Sequence, residues 1–152
     1  TREIVNSYLE KKGETFKDEV CKFVGEFATK LDLESVSSNN LVFFGNHLYN
    51  HDVPFLLSDE QLLESYRKNE DELKKYPNSR NMFAFPFGQP GTCFLEQQIE
   101  LLIENGAKKV FSSYPVLNSD VTTQYLHRIS LRSINNTKSR IWFNIFKKSF
   151  KL

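Results

Sequence analysis

The chain has 152 residues, of which 39% are hydrophobic and 26% charged, with 20 Lys and Arg against 19 Asp and Glu for a formal net charge of +1. That is room for one domain with a real core, and the composition excludes collagen, a disordered tail and a disulfide scaffold built on only Cys21 and Cys93. No run approaches the roughly 18 apolar residues of a membrane span. The opening Thr1-Arg2-Glu3 has no initiator Met and no apolar signal core, so the chain is expected to begin inside a longer gene product. Residues 121–152 contain no acid and seven of the bases, which leaves 13 bases against 19 acids in residues 1–120, a net of −6. A basic tail of this kind either folds onto an acidic body or meets a polyanion such as phospholipid.

Two helical stretches open the chain. In the second, Phe16, Val20, Phe23, Val24, Phe27 and Leu31 recur at helical spacing and predict one apolar face. Ser37-Ser38-Asn39-Asn40 is a loop. Leu41-Val42-Phe43-Phe44 is a short apolar run that fits a buried strand. A helix is predicted from about Asp59 to Lys75, with Ser58 and Gln61 forming a capping box, Leu62, Leu63, Tyr66 and Leu73 on its buried side, and Pro77 ending it. Met82 to Phe87 reads as a second buried strand running into a Gly-Gln-Pro-Gly turn. Thr92 is expected to start a helix carrying Leu95, Ile99, Leu102 and Ile103, with Gly106 in the C′ position. Lys109 to Ser112 is a third strand, and Arg128-Ile129-Ser130-Leu131 alternates like a rim strand. Strands alternating with helices imply a parallel sheet, whose ligand sites lie at the C-terminal strand ends.

The segment Gly45-Asn46-His47-Leu48-Tyr49-Asn50-His51-Asp52 follows the first strand. Two histidines spaced i, i+4 share one face if the segment turns helically, which is a metal-ligand spacing. Neutral imidazole suits zinc and other borderline divalent ions. The competing reading is a pair of rim histidines bonded to backbone. Asn46, Tyr49, Asn50 and Asp52 could orient a ligand histidine by hydrogen bonds.

Asn46-His47 to His51, then Leu56-Leu57-Ser58 and a long helix, resembles the second motif of the polysaccharide deacetylases, the NodB-homology carbohydrate esterases, with Leu48 where a Ser or Thr is usual. Phe83-Ala84-Phe85-Pro86-Phe87-Gly88 is similar to the third motif of the exopolysaccharide and surface-polysaccharide branch. Asn105-Gly106-Ala107 to Val110-Phe111-Ser112 and Tyr125-Leu126-His127-Arg128-Ile129 resemble later stretches of that branch. The resemblance covers about residues 41 to 132 within one domain over 1–152. It implies a distorted (β/α) barrel, here partial and lacking its first strand, and a bacterial hydrolase that removes an N-acetyl or O-acetyl group from a surface-polysaccharide sugar. It further implies His47 and His51 as ligands of a divalent metal (Zn, or Co, Ni or Mn), Phe87 in the groove wall, and the backbone N–H after Pro86 at the oxyanion. Such a metal polarises the carbonyl and acidifies bound water, while fixed donors hold the oxyanion. The bacterial cytoplasm or the periphery of its membrane is the implied location.

The family's Asp-Asp pair, general base and third ligand, has no counterpart. Thr15-Phe16-Lys17-Asp18 is the nearest string, but Lys17 cannot accept a proton and the helical period runs through it. The pair is therefore expected upstream of Thr1, and an inactive carbohydrate-binding domain of the same fold is the alternative. Without the first strand, open edges are expected to drive self-association. His127 is a candidate general acid, although Leu126 directly precedes it where the family spaces Leu and His by one residue. Arg128 is a candidate orienting or substrate-binding residue. Cys93, at the start of its expected helix, reads as a small buried residue. Residues 139–152 interleave Trp142, Phe143, Phe146 and Phe150 with bases. They fit either a membrane-surface helix or a final helix that packs Trp142 and Phe146 inward. No recognised motif supports nucleic acid, which ranks last.

Overall fold

The structure, a computed structural model, describes residues 2–129 and 137–149. The domain expected over 1–152 divides into two compact units, Thr1–Ser38 and Asn39–Leu152. The first is helical, with α1 at Arg2–Lys11, α2 at Phe16–Val24 and α3 at Lys30–Val36. Thr15 caps α2: its hydroxyl accepts from the Asp18 N–H at 3.1 Å, and the Asp18 carboxylate accepts from the Thr15 N–H at 3.0 Å. Thr29 and Asp32 repeat this device at α3. The single helix predicted through Phe16 and Leu31 is thus two helices. Gly25, at φ 83°, ends the first, a left-handed conformation that glycine adopts without strain. With the axis broken, the helical spacing no longer describes one face, and Phe16, Phe27 and Leu31 are exposed.

The second unit is mixed α/β. It contains β1 (Phe44–Asn46), a 3-10 turn at Pro54–Leu56, α4 (Asp59–Leu73), β2 (Ser79–Ala84), α5 (Glu96–Glu104), β3 (Lys109–Ser112), β4 (Tyr125–His127) and α6 (Lys138–Ser149). The strands form one sheet in chain order, β1-β2-β3-β4, and every neighbouring pair is parallel. Among the described residues β1 and β4 are its edges.

Several boundaries differ from those predicted. The first strand lies at 44–46, not 41–44, and Leu41 is 85% exposed. Apolar character alone marks a run that feeds a strand as readily as the strand itself. β2 begins at Ser79 and ends at Ala84, because Pro86 has no N–H to give the ladder. α5 begins only after Leu95, so Cys93 does not open a helix; the backbone N–H of Leu95 donates to the Gln98 side chain at 3.0 Å. The last strand is 125–127 rather than 128–131, and residues 130 and 131 lie outside the described ones. The Ser58–Gln61 capping box forms as predicted, with the Gln61 N–H on the Ser58 hydroxyl at 3.3 Å and the Ser58 N–H on the Gln61 carbonyl at 3.0 Å. In α6, Trp142 is 62% exposed, so it is not the inward-packing residue of the final helix. The side chain of Phe146 lies outside the described residues.

Strand alternation sorts the side chains into two faces. Phe83 and Val110 point to one face and are completely buried with Leu62 and Tyr66 of α4 and Ile99 and Leu102 of α5. Both crossover helices therefore cover the same face. Phe85 stacks flat on Phe94, with centroids 3.7 Å apart, and meets Phe83 edge-on at 5.0 Å. Such aromatic pairs add about 0.5–1.5 kcal/mol each beyond the area they bury.

Asn46 ties this face to α4. Its amide nitrogen donates to the Tyr66 carbonyl and to Glu70, each at 2.8 Å, and its oxygen accepts from the Leu48 N–H and from Asn69, each at 3.0 Å. It is 1% exposed, and all of its hydrogen-bonding capacity faces α4 and the 48 turn. It is therefore a structural node and not the partner of a ligand histidine. Asn46→Ala would leave the buried Leu48 N–H unsatisfied, at a cost of about 1–3 kcal/mol. That loss is expected as a lowered urea midpoint at unchanged m-value, and an unmoved midpoint would contradict the assignment.

Candidate functional site

The opposite face of the sheet holds a cleft of about 330 Å³. Gly45, His47, Met82, Ala84, Phe111 and Arg128 line it, with Asn46 and Phe83 at its floor. His47 follows directly on β1. Its Nδ1 lies 2.5 Å from the Ala84 carbonyl oxygen at the end of β2. A carbonyl has no proton to give, so Nδ1 is the donor and Nε2 keeps the lone pair. Burial pushes the His47 imidazole below its ordinary value, and His51 and Arg128 add to that push, against the Ala84 bond. A neutral imidazole with one nitrogen anchored on backbone is the form in which histidine ligates a metal.

The His47 and His51 rings meet edge-on, with centroids 4.7 Å apart. The expected helical turn is not what joins them, since residues 47–51 form no helix. Leu48 (φ 62°) and His51 (φ 57°) instead take the left-handed conformation and fold the loop back on itself. Phe87 (φ 61°) is the third non-glycine residue of this kind among the described residues, and its ring lies 5.0 Å from that of His51. Such conformations cost on the order of 1–3 kcal/mol each, and here all three gather at one rim.

Phe87 is 56% exposed beside the histidines, and Pro86 is buried beneath it. Ser113 fixes this turn: its hydroxyl donates to the Phe87 carbonyl at 2.7 Å and its N–H to the Gly88 carbonyl at 2.8 Å. A Cβ on Gly88 would lie 2.6 Å from the Ser113 hydroxyl oxygen and 2.7 Å from its nitrogen, and φ there is +65°. Gly88→Ala is therefore expected to cost more than about 1 kcal/mol and to displace the Phe87 ring, seen as loss of contacts between the Phe87 and His51 protons in NMR spectra. Unchanged contacts and an unchanged midpoint would refute the lock.

The structure does not bring His127 to this cleft. His127 pairs in register with Ser112, on the helix-covered side of β4, whereas His47 and Arg128 stand on the other side. Its Nδ1 is 2.7 Å from the Ser112 hydroxyl, its ring lies 4.9 Å from Tyr125, and Asn118 bonds its backbone on both sides. Burial lowers its pKa below the ordinary 6.5. The neutral form is thus the one folding favours. Its contribution to stability is present above pH 6.5 and is lost as pH falls through the lower folded value. An NMR titration of the His127 ring is expected to show a midpoint below 6.5, and one at or above it would be inconsistent with this packing.

Arg128 does reach the cleft. Its Nε donates to the Ser112 carbonyl at 3.2 Å and its Nη2 to the Phe85 carbonyl at 3.4 Å. The Asp18 carboxylate caps α2, accepting from the Thr15 N–H and hydroxyl. Cys93 is partly buried against the core, and its carbonyl holds the Phe55 N–H at 2.8 Å.

Among the described residues no group of three or more His, Cys, Asp and Glu side chains could hold a metal ion. The donor set fits a divalent cation in part: two imidazoles, one of them oriented, with no third His, Cys, Asp or Glu grouped with them among the described residues. The Ala84 anchor, the left-handed turns and the Ser113 lock carry no sequence signal except Gly88, because backbone acceptors and non-glycine φ values are not written in residue type. Comparisons with family models, with curated proteins and with solved structures return no match. No helix among the described residues is long and apolar enough to cross a membrane.

Proposed function

We propose that the sheet unit carries part of a metal-dependent deacetylase site that acts on an acetylated sugar of a bacterial surface polysaccharide. The observation that carries this reading is the histidine pair at the C-terminal end of β1, with His47 held through Nδ1 so that Nε2 is available as a donor. The topology supports it: strands in chain order, with both crossover helices on one face, are the arrangement of an arc of a (β/α) barrel. The cleft then corresponds to the barrel interior. Phe87, exposed beside His51, suits the apolar face of a sugar ring. A divalent ion supplies carbonyl polarisation and an acidified water, and zinc, a borderline ion, is one that imidazole ligands suit. A third donor and a general base are carboxylates that the described residues do not place at the pair, so no catalytic step is assigned here.

That same gap favours a second reading, a carbohydrate-binding domain without turnover. Two measurements separate them. Cobalt titration is expected to give a one-to-one complex, and His47→Ala or His51→Ala should each weaken it by at least about tenfold, the low end of what perturbing metal-site geometry costs. Acetate release from N-acetylated glucosamine oligomers, dependent on added metal and lost in both variants, supports the enzyme. Metal binding without acetate release supports the binding domain, and absence of metal binding refutes the metal assignment.

A further inference from the structure

The geometry points to an anion-binding subsite in the same cleft: the Arg128 guanidinium receives an oxyanion, a carboxylate or a phosphate, carried by the sugar that the cleft accepts. This rests on the proposed reading for the sugar and on the structure for the anion.

Arg128 leaves the end of β4 and is held on two neighbouring strands. Its backbone N–H and its Nε both donate to the Ser112 carbonyl, at 3.0 and 3.2 Å, and Nη2 reaches the Phe85 carbonyl at 3.4 Å. These acceptors are backbone oxygens, so they fix the plane of the fork without neutralising it. Among the described residues no acceptor takes the Nη1 donors or the second Nη2 proton, the part of the group that grips carboxylate or phosphate in pairs. Among the described residues no carboxylate pairs with this guanidinium. The surroundings do not relieve this charge, since the cleft lining holds no acid and its imidazole is held neutral. The apolar side chains at the cleft are those of Met82, Ala84 and Phe111, and its other ionisable lining residue is His47. Partial burial pushes the Arg128 pKa down, with no opposing acid to raise it. A cation with no acid partner among the described residues, held in a fixed plane beside apolar side chains, is poised for an anionic ligand and poorly matched to a neutral one.

The location sets the kind of ligand. A group bound on Arg128 shares a cleft of about 330 Å³ with His47, which is room for one monosaccharide and not for a long chain. The anion and any group handled at the histidine pair therefore belong to the same or adjoining sugar residues. A hexuronic acid and a sugar phosphate both have this form.

The test is calorimetric titration of the full chain in EDTA, so that neither metal nor turnover enters. Glucuronate, glucose 6-phosphate and glucose are the probes, at low salt. Saturable binding of glucuronate or of glucose 6-phosphate is expected, with glucose binding at least about tenfold weaker, the size of a lost charge-assisted hydrogen bond. Whichever of the two anions binds more tightly identifies the source. Arg128→Gln should bring the anionic sugar down to the level of glucose, while Arg80→Gln, whose side chain bonds to Pro77 and Ser79 backbone away from this cleft, should not. If Arg128→Gln fails to fold, Arg128→Lys takes its place, and a loss of at least about tenfold is expected because the fork is gone. Equal affinity for glucose and both anions, or unchanged anion affinity in a folded Arg128 variant, overturns the proposal. Anion binding that survives the loss of cobalt binding in His47→Ala leaves this subsite standing and removes only the metal reading. Cobalt binding without anion binding does the reverse.

Discussion

Alternation along four parallel strands is the constraint on which the arrangement of this molecule depends. Each strand must send consecutive side chains to opposite faces. One set, Phe83 and Val110 with Asn46, is sealed under α4 and α5. The other set, Gly45, Met82, Ala84 and Phe111, is left to line the cleft. His47 and Arg128 fall in the second set and His127 in the first. Adjacent residues in sequence, His127 and Arg128, are thereby committed to different environments. One is tied to Ser112 and two tyrosine rings, the other to backbone carbonyls at the cleft.

The rim is held by backbone chemistry more than by side-chain pairs. Ala84 offers its carbonyl to His47, Phe85 and Ser112 offer theirs to Arg128, and Phe87 and Gly88 offer theirs to Ser113. All of these oxygens lie at the C-terminal ends of strands or just beyond, where the ladder has stopped and carbonyls lack a neighbouring strand to accept from. A parallel sheet ends in such unspent acceptors, which is one physical reason why its sites form there. The left-handed residues Leu48, His51 and Phe87 lie in the loops that follow β1 and β2 at this same end of the sheet.

The connection between β3 and β4 follows the same logic without a helix. The Lys109 ammonium, at the start of β3, donates to the carbonyls of Val121 and Thr122, each at 2.9 Å, and of Thr123 at 2.5 Å. One cation thus holds three consecutive carbonyls just before β4, and Asn118 closes the loop on the backbone of His127. This connection fixes the register that presents Arg128 to the cleft.

The sequence by itself determined the class of the fold, because hydrophobic period and punctuation are local properties. The Ser58 capping box, the arrest of α4 before Pro77, the third strand at Lys109–Ser112 and the parallel order of strands and helices could all be read from residue type and spacing. It also singled out His47 and His51, whose proximity holds, though through left-handed turns and not through a helix. Only the tertiary structure decided the rest. Gly25 turned one predicted helix into two, and the first strand moved past its apolar run. His127 was turned away from the cleft while Arg128 was turned into it. The physical reason is that strand register and face depend on long-range pairing. A shift of one residue exchanges the two faces of a strand and leaves its composition unchanged.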